Sequence, residues 1–144
     1  MDAPGALKPA AAYFALVFGT GFVLGTIRTI VLVPRVGVRA AELLEIPIMI
    51  VASGLAARWT VRTFRDERQP RRWARIGVVA LALLLSAEAL LGAMARGVSP
   101  LRALVDKDPI SGTAYYLALG VFAAFPWYWA RARQRAEDGP TARS

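Results

Sequence analysis

Residues Ala74–Ala95 read ARIGVVALALLLSAEALLGAMA, and this stretch decides the class of the protein. From Ile76 to Ala95 the only charge is Glu88. A helix of roughly 20 residues rising ~1.5 Å each matches the ~30 Å hydrocarbon core of a bilayer. A carboxylate inside it is costly unless it meets a partner or a polar cavity. Glu88 therefore demands partners from other parts of the chain.

The whole composition points the same way. The chain has 144 residues, 56% of them hydrophobic, with a mean hydropathy of +0.44. That is too apolar for an ordinary soluble domain of this size. The net charge of +8 sits mainly between and after apolar runs, a pattern that reports membrane topology rather than nucleic-acid binding. With no Cys and no His, the sequence has no disulfides, thiolate nucleophiles, His bases, or Zn and haem sites of the usual ligand types. No cofactor and no metal site are expected, and any chemistry falls to Asp, Glu, Arg, Lys, Tyr, Ser or Thr.

Working outward from the central stretch, four spans are expected, at about 10–33, 40–57, 76–95 and 112–130, forming one transmembrane domain over 10–130. An N-terminal tail, 1–9, precedes it. The first run is interrupted only by Arg28 and carries no cleavage-site pattern, so it is expected to stay attached. Val33–Arg39 reads as a tight connection, with Pro34 unable to continue a helical ladder and Gly37 able to supply positive φ. Arg58–Arg75 carries seven arginines, with Trp59 and Trp73 near its two ends at the membrane boundary, and reads as a basic loop at the level of anionic lipid headgroups. In the following polar loop, SPLRALV (99–105) suits a short interfacial helix. Phe125-Pro126-Trp127 is expected to end or kink the last span, and 131–144 reads as a disordered basic tail.

The expected fold is all-α: an integral membrane four-helix bundle, antiparallel and up-down. With the seven-arginine loop on one side, that side carries twelve basic residues, from Lys8, the loop, Arg131, Arg133, Arg135 and Arg143. The other carries five, Arg35, Arg39, Arg96, Arg102 and Lys107. Both termini are then cytoplasmic, and Ala- and Arg-rich usage suggests a bacterial inner membrane.

This orientation brings the intramembrane charges to one level. Arg28, Glu45 and Glu88 each lie 5–7 residues from the outer end of their spans, about 8–10 Å deep. Chance placement on three spans would rarely do that. Helical spacing groups Gly21, Gly25, Arg28 and Leu32 on one face; Glu42, Glu45, Met49, Ser53 and Ala56 on a second; and Leu81, Leu84, Glu88 and Gly92 on a third. The candidate ligand or ion site is thus Arg28, Glu42, Glu45 and Glu88, with Tyr116 or Thr113 as hydrogen-bond donors, and no residue is assigned a catalytic role. Plainer accounts compete. Arg28 can snorkel outward, and Glu45 can mark a helix start near Ile46-Pro47. Gly21/Gly25 suits packing within the chain better than a dimer motif.

One arginine against two deep glutamates leaves surplus negative charge, the chemistry of proton or cation exchange. The first functional reading is therefore a proton- or cation-coupled transporter, or a membrane protein binding a small ligand, as a homo-oligomer. The second is a structural or assembly subunit of a larger membrane complex, with ion pairs setting helix register. The third, ranked last, is a lipid-modifying enzyme using Asp106-Lys107-Asp108 with a divalent cation. The expected partners are lipids, including anionic lipids at Arg58–Arg75, and not nucleic acid.

Overall fold

The computed structural model describes residues 3–64, 69–106 and 109–139. Its elements are α1 (Ala3–Ile27), a π-helical turn (Arg28–Leu32), α2 (Val33–Val36), α3 (Val38–Thr63), α4 (Pro70–Arg96), α5 (Pro100–Val105) and α6 (Pro109–Glu137). The described residues are helical apart from short connections, and four helical stretches are long and apolar enough to cross a membrane: Gly5–Val36, Val38–Thr63, Pro70–Arg96 and Pro109–Glu137.

These stretches outrun the sequence expectation at nearly every end. Pro34 does not break the first one. Within the π turn the N–H of Val33 reaches back to the carbonyl of Arg28, so the ladder is already re-registered when Pro34 arrives in the first turn of α2, where a missing donor costs little. The reversal falls at Gly37 alone, whose φ of +84° is open to glycine at no steric cost. The expected basic loop is largely helix as well, since α3 runs to Thr63 and α4 starts at Pro70; Arg65, Asp66, Glu67 and Arg68 lie outside the described residues. The expected disordered tail is helical to Glu137, with 140–144 likewise outside. The short helix at Pro100–Val105 is present, capped by the Ser99 hydroxyl accepting from the Arg102 N–H.

Pro126 neither ends nor breaks α6. A proline there cannot donate to the carbonyl of Phe122 four residues back. The Tyr13 hydroxyl, fully buried, donates to that same carbonyl at 2.7 Å and stacks its ring on Phe122 at 4.5 Å. A side chain of α1 thus satisfies the group that α6 leaves open, as backbone in an apolar medium requires.

α1 and α6 each pack against both α3 and α4, which lie on opposite sides of the bundle. Glu42 meets Ser111, Gly54 meets Phe125 and Val61 meets Arg133, so α3 and α6 run side by side in the same direction. Close approach rests on small residues: a Cβ on Gly77 of α4 would lie 2.0 Å from the backbone oxygen of Ala123 in α6. Ser53, Gly54, Ala57 and Thr60 of α3 are buried, whereas Leu44, Ile48, Val51 and Leu55 are exposed. Polar hydroxyls are folded back, with Thr20, Thr26, Thr29, Thr60, Thr63 and Ser86 each bonding the carbonyl one turn earlier. Small residues inside and large apolar ones outside fit a bundle solvated by lipid.

The core occupies one half of the bundle. Ala10, Tyr13, Val17, Ala57, Val61, Trp73, Ile76, Ala80, Leu84, Phe122 and Ala130 form it, reaching from the middle of the bundle, at Leu84 and Phe122, to the end at the α3–α4 connection. Trp73, expected as an interfacial anchor, is instead fully buried, because α4 begins at Pro70 and turns Trp73 onto the inward face with Ile76, Gly77, Ala80 and Leu84. The other half of the bundle is open.

Candidate functional site

That open half holds a cleft of about 930 Å³. Its floor is part of the core, at Val17, Leu84 and Phe122, and Phe18, Phe22, Met49 and Leu119 continue the apolar wall. Arg28, Glu42, Glu45 and Glu88 all line it, and Arg96 and Asp106 stand nearer its mouth.

Each helix brings its charge here through the spacing in its sequence. On α3 the lining residues Glu42, Glu45, Met49 and Ser53 form one stripe; on α4 the stripe is Leu84, Glu88, Leu91 and Gly92. Gly21 is tight against Met49, where a Cβ would come within 3.2 Å of the Met49 methyl, so its role is packing within the chain; Gly25 meets nothing within 4 Å and lines the cleft. Arg28 opens the π turn, and such turns recur at functional sites because they re-aim side chains within an otherwise regular helix.

The helix ends differ from those expected, yet the level of the charges is preserved. Arg28 lies 8 residues before Val36, Glu45 lies 7 after Val38, and Glu88 lies 8 before Arg96, so all three stand about 11–12 Å from the ends of their helices. The reversal at Gly37 brings Arg28 and Glu45 together, and Arg28 Nη1 donates to Glu45 Oε2 at 2.5 Å. Arg28 does not snorkel away from the bundle. Glu45 does not mark a helix start, since α3 begins two turns earlier at Val38. The Glu45 side chain is 13% exposed and that of Arg28 32%, so the carboxylate is the more enclosed partner. Glu88 lines the cleft from α4, across the bundle from α3. Glu42 accepts a hydrogen bond of 2.6 Å from the Ser111 hydroxyl.

Tyr116 and Thr113 do not take the places expected of them. Tyr116 is exposed and donates to the Leu104 carbonyl at 2.7 Å, satisfying a last-turn carbonyl of α5. Thr113 bonds the carbonyl of Pro109. The inward face of α6 is Ser111, Tyr115, Ala118 and Phe122, spaced 4, 3 and 4, and one residue further is a rotation of about 100°. That spacing is visible in the sequence and would have selected Ser111 and Tyr115. Arg96 donates to the Ala103 carbonyl at 2.8 Å, and Gly92 leaves room for Ala103, whose methyl would stand 2.9 Å from an added Cβ; together they seat α5 beside the mouth.

Among the described residues, two arginines face four carboxylates on the cleft wall, a formal charge of −2 inside a chain whose net charge is +8. Among the described residues no three acids gather closely enough to hold a metal ion. Lys107 and Asp108 of the suggested divalent-cation loop lie outside the described residues. The chemistry on offer is long-range attraction for positive charge, carboxylate hydrogen-bond acceptors, and an apolar floor. Comparison with protein-family models, curated proteins and solved structures gives no match to this chain.

Proposed function

We propose that this multi-pass membrane protein, set in the bacterial inner membrane with both termini cytoplasmic and the four spans running up and down, binds a small organic cation in its cleft from the outer side. The bound cation is carried across the membrane in exchange for a proton or inorganic cation at the glutamates. One observation carries this reading: charges from α3, α4 and the π turn line one cleft with a surplus of negative charge above an apolar floor. The Arg28–Glu45 pair neutralises one carboxylate, and Glu42 and Glu88 add further carboxylates to the wall that complement a positive ligand. The orientation rests on the excess of basic residues at the opposite end.

The test uses purified protein in liposomes with tetrapropylammonium as the probe and a trapped pH-sensitive dye. An imposed tetrapropylammonium gradient is expected to drive proton movement in the wild type. Glu88→Gln should insert and fold normally but lose the response. Undiminished activity in Glu88→Gln would remove Glu88 from the mechanism.

A further inference from the structure

The opposite end of the bundle carries a second recess of about 620 Å³ between α3 and α6, lined by Arg58, Arg62, Trp129, Arg133 and Glu137 among others. Its polar groups are nearly all donors. Arg58 lies over the Trp129 ring at 5.4 Å, and Arg133 holds its place by donating through Nη1 to the Val61 carbonyl at 3.0 Å, in the last turn of α3. The indole Nε1 of Trp129 is buried and has no hydrogen-bond partner among the described residues. Indole can only donate, so a buried partnerless one calls for an acceptor. Among the described residues Glu137 is the single acid on the wall; it lies 4.0 Å from Arg133 Nε with its side chain 61% exposed. Among the described lining residues, three guanidinium groups stand against one carboxylate, so the wall is predominantly basic.

We propose that this recess binds a phosphate group, and that the phosphate is carried by the headgroup of an anionic phospholipid. Phosphate supplies several acceptor oxygens, and guanidinium forks match it better than point charges do. The position fits a headgroup, because the recess lies at the helix ends beside Trp127 and Trp59, at the level where tryptophans mark the membrane interface. Leu55, Arg58 and Arg62 share a face of α3 by their spacing of 3 and 4, so apolar surface leads from the recess toward the bilayer interior, where an acyl chain would run. This site is independent of the outer cleft and of its function; it rests only on the protein being in a membrane.

The test is native mass spectrometry of the full chain released from micelles doped with equal amounts of phosphatidylglycerol and phosphatidylcholine. The wild type should retain phosphatidylglycerol preferentially. Arg58→Gln and Arg133→Gln should each lower that retention about fivefold, and Trp129→Phe, which keeps the packing surface and removes only the N–H, should lower it without loss of helical signal. Glu137→Gln should raise it. Arg71→Gln, exposed and outside the recess, is the control and should leave it unchanged. Displacement of the lipid by millimolar inorganic phosphate would reassign the source to free phosphate, overturning the lipid headgroup while keeping the phosphate chemistry. Equal losses in Arg71→Gln and Arg133→Gln, or no preference over phosphatidylcholine, would reduce the recess to diffuse surface charge and overturn the proposal.

Discussion

Removing both members of the Arg28–Glu45 pair should destabilise the bundle by less than the sum of the two single removals. The geometry sets the size. An exposed ion pair contributes about 0–1 kcal/mol, whereas breaking a fully buried one by deleting a single partner costs about 3–5 kcal/mol. This pair lies between those limits, since the Glu45 side chain is 13% exposed but Arg28 opens at 32% onto a cleft that water can enter. Arg28→Gln and Glu45→Gln are each expected to cost about 2 kcal/mol, and the double variant should recover a coupling of about 1–2 kcal/mol in the cycle. The assay is reversible unfolding in mixed micelles by a denaturing detergent, followed by the loss of helical circular dichroism in all four proteins. Strict additivity, with both single variants within about 0.5 kcal/mol of wild type, would mean that the pair adds nothing to folding and that the π turn is held in place by other contacts. The charge swap Arg28→Glu with Glu45→Arg separates stability from function. It should restore much of the stability, and recovery of ligand binding as well would favour the reading in which these residues only set helix register.

Three further outcomes follow from particular contacts. Gly77→Ala drives a methyl to 2.0 Å from the Ala123 carbonyl oxygen and must push α4 from α6; a loss of about 2–3 kcal/mol is expected, read as a lowered thermal midpoint in detergent. Tyr13→Phe keeps the ring stack on Phe122 but leaves that carbonyl with neither a helical nor a side-chain donor, at a cost of about 1–3 kcal/mol in the same measurement, and a neutral result would show that the Pro126 site needs no donor. Gly25→Leu, at a position with open space around its Cβ, should fold normally and fill part of the cleft; calorimetry with tetrapropylammonium should then show weakened binding, and unchanged affinity would place the ligand elsewhere.

Much of this arrangement was legible in the sequence because its signals are periodic. Four apolar runs of bilayer length, and charges on three of them at matching distances from their ends, needed only the rise per residue and the 3.6-residue turn. What escaped were the features that depend on pairs of elements. Pro34 and Pro126 read as breaks because a proline alone removes a helical bond; the π turn beside the first and the Tyr13 hydroxyl supplied to the second come from geometry that local sequence does not express. Arg58–Arg75 read as a loop because seven arginines suit solvent, yet arginine is also a good helix former, and a helix extending past the membrane keeps those groups in water. Trp73 read as an anchor by position, when the direction set by its own helix start at Pro70 decided its burial. Tyr115 lines the cleft and Tyr116 does not, because on a helix one residue is the difference between facing the cleft and facing away from it.

The division of the bundle into a packed half and an open half explains how a chain this small can carry so much intramembrane charge. The helices are fixed to one another around Tyr13, Trp73, Gly77 and Phe122, where small or stacked groups let backbones approach closely. Beyond that point they need not touch across the bundle axis, and the carboxylates of α3 and α4 line a cleft instead of the apolar outer face of the bundle. Charge that would be prohibitive in a closed bundle becomes tolerable. The same arrangement sets a requirement for transport. The floor of the cleft is the region that holds the helices together, so a solute crossing along the bundle axis would pass where Tyr13 bridges α1 to α6. A cation exchanged only at the outer face needs no such opening, whereas complete translocation along that axis needs that buried hydrogen bond to break and re-form in each cycle.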